Sequence, residues 1–183
     1  MRYPLLLAAL LGASLVPCVA ATDGPPAGWF LAGDHPENYK TGTDGNGIAF
    51  LTSKADSSGL GFGTLMQQIN AGEYQGMRVR FSATVRSENL TDRAGLWMRV
   101  DEGTKVVAFD NMYNRAIKGT TGWTTYEVVL EVPPNATTIS FGTLVESRGG
   151  VWIQHAQLEE VGRDVPTTGR ILPMKPVNLD FRQ

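Results

Sequence analysis

Hydrophobic and polar positions alternate with a period of two in residues 94–112, a pattern typical of a β-strand with one buried face. Leu96, Met98 and Val100 form the apolar set, and Trp97 and Arg99 lie between them. The turn at 101–104 contains a glycine and leads into a second apolar run, residues 105–109, so the stretch predicts a β-hairpin. If the apolar set faces a core, Trp97 and Arg99 project from the opposite face.

Similar short apolar or alternating segments recur along the chain, with Gly, Pro, Asn or Asp between them, and no segment has a sustained helical period. The clearest, residues 77–88, places Val79 and Phe81 on one side and Arg78 and Arg80 on the other, as on a sheet with one solvated face. The predicted strands are 29–32, 39–43, 48–54, 62–69, 77–88, 123–132, 137–145 and 151–161. This pattern predicts an all-β protein, a sandwich of two antiparallel β-sheets.

The first 21 residues have the features of a secretory signal peptide. Arg2 is a basic start, residues 5–16 are an apolar run, and residues 17–21 are a small-residue end. The apolar run is too short to span a bilayer, so we expect no membrane span and an exported, periplasmic or secreted protein. Cys18 is the single cysteine, and Pro17 before it disfavours lipidation. The exported chain would then contain no cysteine and depend on its core for stability.

The rest of the chain is of a length suited to one domain. We expect a flexible lead-in at 22–28, the β-sandwich at 29–161 and an extended tail at 162–183. The formal charge of the whole chain is −2 and no basic cluster occurs, so we predict no nucleic-acid partner. The sequence does not identify a protein partner.

Three motifs resemble, in their order, those of the galactose-binding-like jelly rolls used as carbohydrate-binding modules: residues 78–83, 123–126 and 149–153. A closer resemblance is to a bacterial module found in or beside secreted peptidases, erythromycin-esterase-like proteins and some transcriptional regulators. Its markers are 62–67, 94–101 and 109–112. The resemblance covers about residues 29–161 and implies a jelly roll, but a shared sandwich does not identify a ligand.

Metal and cofactor chemistry are not predicted. Jelly rolls of this type often carry an aspartate after an aromatic-aliphatic pair on the last strand, and it helps to hold a structural calcium. Here Gln154 and His155 follow Trp152 and Ile153, and they are poor replacements for a carboxylate.

Catalysis has no motif to support it. His35 and His155 are 120 residues apart, and neither His-Glu-x-x-His nor Gly-x-Ser-x-Gly occurs. We therefore predict no catalytic residues and no enzymatic activity.

The predicted ligand site lies on the face of the hairpin opposite its apolar set. An exposed Trp stacks on a sugar or another ring, while Arg, Asp and Asn supply directional hydrogen bonds around it. The second arm is expected to bring its last residues to the same end of the sheet. The candidate ligand-binding residues are Trp97, Arg99, Asp110, Asn111, Arg115 and, as a weaker candidate, Gln67. The competing interpretation is that Trp97 is a core aromatic and the charges only solvate the sheet.

The sequence therefore favours an exported, non-catalytic binding or accessory module that recognises a carbohydrate or another small ligand. One alternative is a carbohydrate-active enzyme, a glycoside hydrolase or lyase, that uses two carboxylates of Asp101, Asp110, Glu127 and Glu146. Another alternative is a structural protein of the cell envelope.

Overall fold

A computed structural model describes residues 21–59, 61–169 and 178–182. The predicted signal peptide lies outside these residues except for its last position. Three short 3₁₀ helices, Pro36–Asn38, Gly72–Tyr74 and Tyr113–Arg115, are described besides strands. The strands are β1 (Thr22–Asp23), β2 (Phe30–Gly33), β3 (Tyr39–Thr43), β4 (Ala49–Ser53), β5 (Phe62–Asn70), β6 (Arg78–Glu102), β7 (Lys105–Asp110), β8 (Ile117–Glu131), β9 (Thr138–Glu146) and β10 (Gly150–Val161).

Strand β6, with 25 residues, belongs to both layers of the fold. Its first half pairs with β10 and β8, and its second half pairs with β9 and β7, always antiparallel. The hydrogen-bonded order is β1-β3-β4-β10-β6-β9-β5-β2. We call β7, the second half of β6, β9, β5 and β2 the groove sheet, and β1, β3, β4, β10, the first half of β6 and β8 the back sheet. The predicted all-β antiparallel architecture is confirmed.

The core lies between these two layers and follows the alternation of the sequence. From the first half of β6, Val79 and Phe81 are 0% and 1% exposed. From its second half, Leu96, Met98 and Val100 are each 0% exposed and belong to the same cluster. Full burial of each such side chain contributes about 1.5–3 kcal/mol. The apolar set of the hairpin therefore faces the core, as its period of two predicts.

Tyr39 closes one end of the core. The residue is 2% exposed, and its hydroxyl shares its one hydrogen between the backbone carbonyls of Gly61 (3.0 Å) and Ser147 (2.9 Å). Burial raises the pKa of the Tyr39 hydroxyl to about 12, because the phenolate would lose its hydration.

Two predicted segments differ from those of the structure. The strand predicted at 123–132 begins earlier, because β8 starts at Ile117, where register shifts along β6 absorb the irregular pattern. The lead-in predicted at 22–28 begins with two paired residues, since Thr22 and Asp23 pair with Thr43 and Gly42 of β3. An edge strand offers free backbone donors and acceptors, so even two residues can add to it.

The beginning of the tail is docked on β8. The Thr168 amide donates to the Val129 carbonyl (2.9 Å), and the Val129 amide donates to Thr168 Oγ1 (2.8 Å). Arg78 Nη1 also donates to the Arg163 carbonyl (2.7 Å). Residues 178–182 are exposed and outside any strand, whereas residues 170–177 are not described. Within the described parts of the chain, no helix has the length and apolar character that crossing a bilayer requires.

Candidate functional site: a groove on one sheet

A groove of about 470 Å³ lies on the face of the groove sheet that is turned away from the core. The strand register explains its composition. Met66 on β5 and Trp97 on β6 are both opposite Gly142 on β9. Gln68, Ser140, Arg99 and Phe109 form the neighbouring row across β5, β9, β6 and β7. Each row contributes side chains to the same face, so residues far apart in sequence meet in the groove.

Trp97 forms the floor of the groove. It packs with Met66 and Leu144 in an apolar cluster separate from the main core, and it is 9% exposed. Its indole Nε1 donates a hydrogen bond to Thr64 Oγ1 at 2.7 Å. The predicted face of Trp97 is correct, but its predicted exposure was wrong, because side chains from β5 and β9 cover most of the ring.

Gly142 makes room for this floor. A Cβ atom at position 142 would lie 2.3 Å from the Leu65 carbonyl oxygen and 2.9 Å from Met66 Cβ. Real Cβ atoms do not approach other atoms so closely, so the groove floor requires glycine here.

One end of the groove carries Arg99, which is paired with the buried Asp101. Arg99 Nε donates to Asp101 Oδ2 at 3.0 Å, and the arginine side chain is 41% exposed while the aspartate is buried. Among the described residues, the two terminal nitrogens of Arg99 have no hydrogen-bond partner. Beside them, Gln68 Nε2 donates to Ser140 Oγ at 3.1 Å. This end therefore offers free donors that a carboxylate holds in place.

The other end carries a buried ion pair. Arg93 Nε donates to Glu146 Oε2 at 2.8 Å, and Arg93 Nη2 donates to the second carboxylate oxygen. Arg93 Nη1 also donates to the Asn111 carbonyl at 3.3 Å. Arg93 is 7% exposed, and its guanidinium carbon lies 4.9 Å from the ring centroid of Tyr113. Arg93 and Tyr113 were not among the predicted site residues, because no local sequence pattern marks them.

Three of the six predicted site residues, Trp97, Arg99 and Asn111, line the groove. Gln67 does not, because it is opposite Phe141 and shares the core-facing side of β5. The adjacent Gln68 lines the groove instead. The alternation of Thr64, Met66 and Gln68 could have identified this residue.

Asp110 and Arg115 were wrongly placed beside Trp97. Asp110 is opposite Met98 and therefore shares the core-facing side of the hairpin. It is 8% exposed and forms an ion pair with Arg115, whose Nη2 lies 2.6 Å from Asp110 Oδ2. Arg115 Nη2 also donates to the Glu127 carbonyl at 3.0 Å. Asn111 follows the end of β7 and lines the groove, whereas Asp110, the last residue of β7, does not.

Among the described residues, no group of three or more His, Cys, Asp or Glu side chains is arranged to hold a metal ion. Glu146 lines the groove, whereas Asp101 does not line it and contacts it only through Arg99. Asp101 is opposite Thr138, eight residues from Glu146 along β9, which corresponds to about 26 Å at 3.3 Å per residue.

No protein-family profile matches the chain. A relative in Bacillus subtilis (strain 168), the HTH-type transcriptional regulator YbfP, is 40% identical over 167 residues, which cover 85% of this chain and 57% of the regulator. The chain thus spans little more than half the length of this relative.

Solved structures share the fold at low sequence identity. A CBM4 module has a TM-score of 0.50 and 12% identity, over 73% of this chain and 86% of that module. The CBM22-1 xylan-binding domain of Paenibacillus barcinonensis Xyn10C has a TM-score of 0.50 and 13% identity, over 82% of this chain and 98% of that domain. A cyclase from Fischerella sp. TAU also has a TM-score of 0.50, with 16% identity over 75% of this chain and 86% of the cyclase. The fold is a jelly roll of the galactose-binding-like type, which carbohydrate-binding modules share.

Proposed function

We propose that this domain binds a carbohydrate in the groove and does not convert it chemically. The observation that carries the proposal is the composition of the groove: an apolar floor of Trp97, Met66 and Leu144, with polar groups at both ends. A sugar ring has apolar C–H faces and a rim of hydroxyl groups, which match such a floor and such ends. The volume of about 470 Å³ lies within the range of small-ligand sites.

The positions of the carboxylates support a non-catalytic role. Glycosidases need two carboxyl groups roughly 5–10 Å apart, whereas Glu146 and Asp101 are separated by eight residues of extended strand. Each is also held by an arginine, Glu146 by Arg93 and Asp101 by Arg99. Of the four carboxylates considered, Glu146 alone lines the groove.

The test is a glycan array probed with residues 22–183, followed by calorimetric titration of each saccharide that binds. We expect Arg99→Met to weaken binding at least tenfold, because Arg99 offers the free donors of the groove. The matched control is Arg80→Met, since Arg80 is also partly exposed and ion-paired, but on the back sheet with Glu159. Equal binding by both variants, or turnover of chromogenic glycosides, would contradict the proposal.

We also propose that the protein is exported, on the strength of the signal-peptide pattern in residues 1–21. Mass spectrometry of the protein from a bacterial host tests this. A chain that begins at residue 21 or 22 in the periplasm or medium supports export. A cytoplasmic chain that retains residues 1–20 contradicts it.

A second candidate function is ligand sensing within a regulator, and the 40% identity with YbfP favours it. The groove would then bind the signal molecule rather than anchor an exported protein to a polysaccharide. The location of the chain separates the two roles, since a sensor joined to a DNA-binding unit acts in the cytoplasm.

A further inference from the structure

A second cavity of about 290 Å³ adjoins the groove at the Arg93–Glu146 ion pair. The two cavities share Phe62 and Glu146 as lining residues. The second cavity is also lined by Asp34, Asp92 and Ser147. A ligand that fills the groove can therefore extend past Glu146 without leaving the protein surface.

Tyr113 lines neither cavity, but it packs against Arg93 at this end of the groove and is 75% exposed. The Arg93 guanidinium is held against the ring at 4.9 Å from its centroid, and Arg93 itself is fixed by Glu146. A tyrosine ring supported by a cation on one side offers its other side to a flat apolar surface. The exposed face is thus placed to stack on a second ring of a ligand that begins over Trp97.

The turn that carries Tyr113 is held rigidly. Met112 has φ 55° and ψ 23°, the left-handed region that residues with a Cβ disfavour, and it is 1% exposed. Its amide donates to Asp110 Oδ1 at 2.9 Å, and its sulfur accepts a hydrogen bond from the Leu96 amide at 3.3 Å. Its carbonyl accepts from the Arg115 amide at 2.9 Å. Because these contacts fix the turn before a ligand arrives, binding has less conformational entropy to remove.

Besides Glu146, the second cavity has two acidic lining residues, and Arg148, whose Nη2 donates to the Ser57 carbonyl, is a cation beside Gly59 at its edge. Glu146 is paired with Arg93, but Asp34 and Asp92 have no ion-pair partner among the described residues. Carboxylates accept hydrogen bonds from sugar hydroxyls and repel uronates and sulfates.

We infer that the Arg93–Glu146 end of the groove is an outer subsite at which Tyr113 stacks on the ligand, so that the ligand is a neutral oligosaccharide of at least two rings. This inference rests on the proposed function and names its substrate class. It assigns to Tyr113 the stacking role that the sequence analysis gave to Trp97.

The experiment compares ligand length in calorimetric titrations. The probes are the one-, two- and three-ring members of the β-1,4-linked glucose, xylose and galactose series, with di- and trigalacturonate as acidic counterparts. In the unaltered protein we expect affinity to rise from one ring to two, and the acidic probes to bind more weakly. Tyr113→Ala should lower affinity for two and three rings about fivefold to tenfold and leave affinity for one ring unchanged.

Two variants serve as controls. Tyr113→Phe keeps the ring and should retain the gain from the second ring. Trp123→Ala removes a 40% exposed aromatic from the back sheet and should change nothing. If neutral saccharides bind but Tyr113→Ala keeps the full gain with length, or if the galacturonates bind more tightly, the outer subsite is refuted and the groove proposal survives. If no saccharide binds the unaltered protein, the proposed function itself fails, and the outer subsite with it.

Discussion

Replacing Trp97 with alanine tests whether this residue is a structural floor or an exposed stacking residue. Only 9% of Trp97 is exposed, and deletion of a buried tryptophan costs about 3–5 kcal/mol. The hydrogen bond from Nε1 to Thr64 contributes about 1 kcal/mol of that cost. Because the new space opens into the groove, water and neighbouring side chains can enter it, so we expect a loss near the lower limit, about 3 kcal/mol.

The assay is urea denaturation monitored by circular dichroism, since fluorescence would change with the loss of a tryptophan. Trp97→Phe is the matched variant: it keeps an aromatic ring against Met66 and Leu144 but loses the donor to Thr64, and we expect it to lose about 1–2 kcal/mol. Trp123→Ala, which removes a tryptophan that is 40% exposed, should cost much less than Trp97→Ala. A loss below about 1 kcal/mol in Trp97→Ala, together with abolished saccharide binding, would refute the buried-floor interpretation.

Three further outcomes are expected. The pKa of Tyr39 is about 12 in the native state, whereas that of an unfolded tyrosine is about 10. The free energy of unfolding should therefore fall as pH rises from about 10 to 12, by at most about 1.4 kcal/mol per pH unit. Urea midpoints at pH 8 to 11.5 should show this fall in the unaltered protein and a smaller one in Tyr39→Phe. Arg93→Met should lower the free energy of unfolding in urea by about 2 kcal/mol, which is less than for a fully buried pair because the Glu146 side chain is 28% exposed. The double variant with Glu146→Gln should lose less stability than the two single variants added together. Gly142→Ala should lower the melting temperature by several degrees because its Cβ would collide with backbone, whereas Gly122→Ala, with open space around it, should not; equal melting temperatures would disprove the close packing at position 142.

The local pattern was enough to predict the faces of the central hairpin. Leu96, Met98 and Val100 share the core, and Trp97 and Arg99 share the groove, because a period of two is a property of the strand alone. The same rule places Asp110, opposite Met98, on the core-facing side. Local sequence therefore predicts orientation well.

The surroundings of each side chain could not be predicted in this way. Trp97 is covered by Thr64, Met66 and Leu144, and each of them lies more than 30 residues away from it in sequence. Arg93 and Glu146 likewise meet only because β6 and β9 are neighbours. Burial and ion pairing depend on strand order, and the alternation within one strand carries no information about strand order.

The length of β6 has a consequence for how the protein folds. Its 25 residues are hydrogen-bonded to β8 and β10 along one half and to β7 and β9 along the other. Except for the β6–β7 hairpin, its partners lie farther along the chain, so neither layer is complete until distant segments have met. Folding dominated by such non-local pairing takes milliseconds to seconds in small domains. The shared strand also makes opening of one layer costly for the other, so amide hydrogens in both halves of β6 should exchange together, as one cooperative unit.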